Sequence, residues 1–175
     1  KEGDMIFTHF GISGPAVLKI SSYLNKALAD GEVEVVLDFL KDRSKEELAQ
    51  IIRSNSNRFV LNNLKGILPQ NFLKQIFEML NLVEVKASDL KKEDEIKIIE
   101  YIKEMKLTVR ETLTIKAAQV TSGGVKVKEI NASTMESKLI NNLYFAGEVI
   151  DIDAETGGYN LQMAFSTGYL AGSDF

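Results

Sequence analysis

The sequence predicts an α+β fold, and three observations carry that prediction. Residues 41–106 show only helical periodicity, β-rich runs lie on either side of them, and the chain closes on a lone apolar run, a loop and a helix. The order is β, α, β, a long helical insertion, β, β, and then that strand–loop–helix. No internal repeat or low-complexity tract interrupts it.

Met5 to Pro15 begins strand-like and then turns. Ser13 or Gly14 serves as N-cap and Pro15 fits the first helical position, where its missing N–H costs nothing. Ala16, Val17, Ile20, Tyr23, Leu24, Ala27 and Leu28 then recur at helical spacing until Asp30-Gly31. Glu32 to Leu40 is rich in Val and reads as a strand. Ser44-Lys45-Glu46-Glu47 is a capping box that opens the first inserted helix. Further helices are expected over Phe59 to Leu64, from Pro69 through Leu80, and over about Lys91 to Met105, the last burying Ile96, Ile98, Ile99 and Ile102. Strands are then expected at Leu107–Val109, Thr112–Ile115, Gln119–Thr121 and Val125–Val127, with Ser122-Gly123-Gly124 as a turn. Leu143 to Ala146 reads as a strand buried on both faces, ended by Gly147-Glu148, and Thr156 to Ala171 reads as the closing helix.

Composition narrows the function. The chain has 175 residues, 45% hydrophobic and 26% charged, the balance of an ordinary globular protein. Its net charge of −4 argues against a general nucleic-acid binder, which needs a positive face. No apolar stretch approaches the roughly 20 residues of a bilayer span. The absence of Cys excludes a disulfide framework, a thiolate metal site and a Cys nucleophile from this chain, and a single His excludes a His-rich metal centre. No metal site is expected, and a cytoplasmic setting is. The chain starts at Lys1 without an initiator Met and runs straight into apolar sequence, so it is expected to be a piece of a longer protein.

The chemistry-bearing segment is Leu143 to Gly172. A strand tip ending in Gly147-Glu148, followed by a helix opening with Gly157-Gly158-Tyr159-Asn160-Leu161, is a ligand-cradling pattern. Glycine lets a flat or charged group approach the backbone, and the free N–H groups of a helix's first turn favour a partly anionic acceptor. A carboxylate at a strand tip accepts hydrogen bonds from sugar hydroxyls. An ordinary turn and a solvated carboxylate fit the same residues, and the residues alone leave both readings open. His9 reads as structural, and Ser13 lacks the partners of a hydrolase nucleophile. Residues 48–77 are free of acids and carry Arg53, Arg58, Lys65 and Lys74, a modest density for a nucleic-acid face.

Several segments in order carry a family resemblance: Thr8-His9-Phe10-Gly11-Ile12-Ser13-Gly14-Pro15, Val120-Thr121-Ser122-Gly123-Gly124-Val125, Thr134-Met135-Glu136-Ser137-Lys138, Leu143 through Asp151, and Thr156-Gly157-Gly158-Tyr159-Asn160-Leu161-Gln162. Over essentially the whole chain the set resembles the C-terminal half of the BaiN-like bacterial flavoproteins, NAD(P)/FAD-dependent oxidoreductases. The resemblance implies part of a small β-barrel at residues 1–40 and 107–135, a helical insertion similar to helix-two-turns-helix modules at 41–106, and the returning strand–helix of a Rossmann-like FAD domain at 141–175. The N-terminal portion of that domain, with its glycine-rich pyrophosphate fingerprint, is missing here. The resemblance further places Glu148 at the ribityl or phosphate region of FAD, and Asn160 and Leu161 where backbone N–H groups face the pyrimidine edge of the flavin. Tyr159 either stacks near that ring or packs as a helix-end aromatic.

The function so implied is the C-terminal part of an FAD-dependent, NAD(P)H-linked oxidoreductase acting on an unidentified small molecule. It implies no catalytic residue in this chain. The fragment alone is expected to lack FAD and activity, and its orphan strand and helix expose apolar surface that favours self-association. The alternative is a non-catalytic module that binds protein or RNA through the helical insertion.

Overall fold

A computed structural model describes residues 1–173; Asp174 and Phe175, the last two residues of the expected 141–175 segment, lie outside the described residues. The chain divides into two compact units, one of Lys1–Val33 with Arg110 onward, the other Glu34–Val109.

In the first unit, β1 (Ile6–Thr8) and β2 (Gly11–Ser13) form an antiparallel hairpin in which Phe7 pairs with Ile12. His9 and Phe10 are its tip, a turn inside what was expected as one strand-like run, and the two rings meet edge to face with centroids 4.9 Å apart. Helix α1 (Pro15–Leu28) follows with Gly14 as N-cap. Gly14 adopts φ +104, and a Cβ there would lie 2.9 Å from the Asp4 carbonyl oxygen, so glycine alone lets Asp4 accept the Ala16 N–H at 3.0 Å.

The strand β3 (Val33–Leu37), all but its first residue in the second unit, is paired with β4 (Met105–Val109). Between them run α2 (Lys45–Ile52), α3 (Val60–Asn63), α4 (Gln70–Met79) and α5 (Lys92–Lys103). The capping box forms as its spacing requires: the Glu47 N–H donates to Ser44 Oγ at 3.1 Å, and the Ser44 N–H donates to Glu47 Oε2 at 2.7 Å. Leu48, Ile52, Leu73, Phe77, Ile98 and Ile102 are wholly buried together in one core. Ile96, expected to share it, points outward instead. Two ionic groups are sealed against this core. Lys103 Nζ donates to the Leu40 and Arg43 carbonyls at 2.6 and 2.7 Å and pairs with Asp38 at 2.7 Å, which ties the entry to α2 onto α5. Glu95 is 1% exposed and accepts from Arg53 and Lys92.

Beyond β4 the expected strands at 112–115, 119–121 and 125–127 do not form. Ile115–Ala117 and Val127–Glu129 are 3₁₀ turns, and Val125 makes a single parallel bridge to Ile150. Leu143 to Ala146 is likewise no doubly covered strand: Tyr144 bridges Glu136 and Leu143 is 37% exposed. The physical reason is pairing. A short β-prone run becomes a strand only beside a ladder partner, and two-stranded ribbons are marginal even when complete. The ladders are two separate pairs, with no closed barrel among the described residues. Gly147–Val149 is a third 3₁₀ turn, and α6 (Tyr159–Ser173) closes the chain, starting three residues later than expected. Ile130, Met135 and Ile150 form a small core against Leu170 and Ala171 of α6.

Burial alone would push the Glu95 carboxyl up, but the hydrogen bonds and positive charges of Lys92 and Arg53 outweigh it and hold the group below the usual carboxylate range. A depressed folded-state value contributes stability that is complete above the usual carboxylate range and is lost as pH falls through the depressed value. Glu95→Gln is therefore expected to destabilise the chain by about 1–3 kcal/mol at neutral pH, and by progressively less as the solution is acidified. Thermal melts of both proteins from pH 7 down to pH 3 check this; a constant gap between the curves would refute it.

Candidate functional site

Of the residues read as a ligand cradle, Gly147 and Glu148 lie on the 147–149 turn, which packs against α6 at Ala164 and Thr167, while Gly157 to Leu161 lie at the start of that helix. Gly147, at φ +73, opens the turn, and its N–H donates to Thr167 Oγ1 at 2.9 Å. The buried Thr167 hydroxyl in turn donates to the Met163 carbonyl at 2.8 Å, so one side chain joins the turn to the second half of the helix. A Cβ on Gly147 would sit 3.8 Å from Ala164 Cβ, ordinary contact, so the positive φ rather than crowding accounts for glycine here.

Glu148 follows on the exposed side of the turn. Its Oε1 accepts both the Thr121 N–H at 2.8 Å and the Thr121 hydroxyl at 3.1 Å. Its Oε2 has no protein donor among the described residues. The loop that carries Thr121 is pinned again four residues on: the Val125 N–H donates to the Val149 carbonyl at 2.8 Å, and the Asp151 N–H donates to the Val125 carbonyl at 2.9 Å. Gly124 permits that approach, because a Cβ there would lie 2.3 Å from the Val149 oxygen. Ser122-Gly123-Gly124 is thus an arc between two anchors on the 148–151 segment, not a turn between strands.

Gly157 and Gly158 lead into α6 at φ +144 and +89, and nothing stands within 4 Å of where a Gly158 Cβ would be. Tyr159 is exposed, with its ring edge over Gly157, where a Cβ would meet Cε2 at 3.3 Å. Leu161 points outward. The Asn160 side chain turns back: its Nδ2 donates to the Ala154 carbonyl at 2.9 Å and its Oδ1 accepts the Ala154 N–H at 3.0 Å. That amide group holds the 154–160 loop closed. The N–H groups of Tyr159, Asn160 and Leu161 open the helix and have no carbonyl four residues before them within it.

Sequence reasoning missed Thr121 and Thr167. Thr121 lies in a quoted motif, yet its partner is 27 residues away, and a threonine in mid-helix gives no sign that it will accept from a distant turn. An open cleft of about 330 Å³ beside the arc, lined by Val125, Leu139, Ile140, Leu143 and Phe145, is mainly apolar. His9 and Ser13 lie on the β1–β2 hairpin and take no part in these bonds. In the second unit Arg53 is committed to Glu95 and the Leu90 carbonyl, which removes it from the cationic stretch seen in the sequence. Among the described residues no three acidic or His side chains are grouped as metal ligands, and no helix is long and apolar enough to cross a membrane.

Comparison with known proteins places the chain in a family. Residues 1–120 match the model of the HI0933-like protein barrel and H2TH domain, and residues 86–174 match that of the HI0933-like protein Rossmann domain. The chain is 34% identical to the 3-dehydro-bile acid delta(4,6)-reductase of Clostridium scindens, over 97% of this chain and 43% of that protein. It is 34% identical to the ribosomal RNA dihydrouridine synthase of Haemophilus influenzae, over 94% of this chain and 40% of that one. With the enzyme of the same name from Escherichia coli it shares 33%, over 98% and 42% respectively. The chain thus spans about two fifths of the length of these curated relatives. With both family models matched in order and a reductase aligned along nearly all of its residues, the chain belongs to the HI0933-like family.

Proposed function

We propose that this chain is the flavin-proximal C-terminal part of an FAD-dependent oxidoreductase. What supports the reading is that an amide-rich helix start and an oriented carboxylate belong to segments joined by the Gly147–Thr167 bond: the first N–H groups of α6 on one, the free Oε2 of Glu148 on the other. The donor set suits a flavin. Ribityl and sugar hydroxyls need an acceptor, which Glu148 offers. The pyrimidine edge needs N–H donors, which Tyr159, Asn160 and Leu161 offer through their backbones. The space at Gly158 is open, which leaves its backbone accessible to a flat ring.

Bound there, the flavin would supply hydride chemistry. The residues of this chain would hold it, orient it, and stabilise negative charge at N1 and the C2 carbonyl. The relatives' names support a common reaction class. A delta(4,6)-reductase of a 3-dehydro bile acid and a dihydrouridine synthase both saturate a carbon–carbon double bond conjugated to a carbonyl. We assign that class of reduction to the intact protein, with NAD(P)H as the source of electrons, in the cytoplasm of a bacterium. Residues 1–40 and 107–135 would belong to the barrel and 41–106 to the helical insertion. This chain by itself, with one wall of the site, would hold FAD poorly and turn over nothing.

The full-length protein is expected to purify yellow, with flavin absorption bands; a colourless protein indifferent to added FAD would overturn the reading. In that protein Glu148→Ala should lower retained FAD severalfold, measured as the ratio of flavin to protein absorbance. Asn160→Ala should act indirectly, by releasing the loop: exchange of the Ala154 amide should rise about tenfold for the loss of its one bond, and flavin retention should fall with it. Unaltered flavin content in both variants would remove Glu148 and the α6 mouth from the site.

A further inference from the structure

We infer that Thr121 is a positioning residue that sets the rotamer of Glu148, so that the carboxylate meets FAD with one oxygen already occupied and the other aimed at the ligand. The inference rests on the flavin reading above and extends it to a residue 27 positions away in sequence.

Three observations support it. An exposed glutamate ordinarily samples many rotamers, and a ligand that needs one of them must freeze the rest. Here the freezing is done in advance, because both donors of Thr121 converge on the same oxygen, Oε1, at 2.8 and 3.1 Å. Oε2 keeps its full acceptor capacity, with no protein donor among the described residues. Thr121 is itself fixed. Its loop is tied down at Val125 by paired bonds to Val149 and Asp151, and Gly124 makes that approach sterically possible. The anchor and the carboxylate it orients therefore ride on the same backbone segment, 148–151, and move together.

The hydroxyl and the amide have separable roles. Thr121→Val removes the O–H donor and retains the N–H; Thr121→Ser retains both. Full-length protein stripped of cofactor and titrated with FAD, read by quenching of flavin fluorescence, distinguishes them. Thr121→Val is expected to weaken FAD binding roughly three- to tenfold, and Thr121→Ser to stay within about twofold of the parent. In a Glu148→Gln background, where the charged acceptor is gone, Thr121→Val should add little further loss. Equal affinity of Thr121→Val and the parent, with Glu148→Gln still impaired, overturns this inference and leaves the flavin reading standing. Full additivity of the two substitutions also overturns it, since Thr121 would then act through the fold and not through Glu148. If neither single substitution changes FAD affinity, the flavin reading of Glu148 falls, and this inference with it.

Discussion

The hydrogen bond from the Gly147 N–H to Thr167 Oγ1 is the link on which the geometry of the first unit's C-terminal part depends. It is the point at which the polar framework of the 147–149 turn is tied to α6, and it is made by a buried hydroxyl that already satisfies the Met163 carbonyl. With the turn so placed, Glu148 faces outward while Ile150 faces inward to the small core of Ile130 and Met135. Ile150 then offers its backbone neighbours to Val125, and that bridge delivers the arc bearing Thr121 to the Glu148 carboxylate. No regular ladder runs through residues 110–150, so side chains perform the work that strand pairing performs elsewhere. Thr121, Asn160 and Thr167 each hold a backbone segment or a functional group at one defined distance.

The second unit is built on the opposite plan. Its order comes from local signals and one apolar core: a reciprocal capping box, short helices with regular apolar spacing, and buried charges neutralised in place. Lys103 illustrates the economy of the arrangement. Buried with two carbonyls and Asp38, it closes the loop before α2 without a disulfide, a metal or a long side-chain network. Glu95 does the same between α2 and α5 through Arg53. Both groups are costly to bury alone and acceptable only because every charged atom meets a partner.

That contrast explains what could be read from the residues. Ser44 and Glu47 are three apart, Pro69 immediately precedes its helix, and the apolar stripe of α4 repeats within ten residues, so the helices of the second unit are written locally. The runs at 112–115, 119–121 and 125–127 have strand-like composition as well, but a strand needs a neighbour, and composition does not name one. The candidate site divides along the same line. The glycine-led start of α6 and the exposed Glu148 are visible in the sequence because glycine pairs and helix starts are local. The donors to Glu148 are not, because 27 residues separate Thr121 from it. The use of the Asn160 side chain was not legible either: it is spent on Ala154, six residues upstream, while the role read for Asn160 concerned its backbone N–H.

Helix α6 finally binds the site to the surface around it. One face, through Leu170 and Ala171, joins the small core. The other carries Leu161, Phe165 and Tyr169 at 64, 72 and 77% exposure, spaced four residues apart so that they form a single stripe. A helix apolar on opposite faces is the pattern of one covered on both. The stripe starts at Leu161, one of the residues whose N–H opens the helix, so the stripe and the amide mouth are one continuous surface. A group seated on the stripe at Leu161 would therefore also lie beside those N–H groups, and a drier setting strengthens a backbone donor.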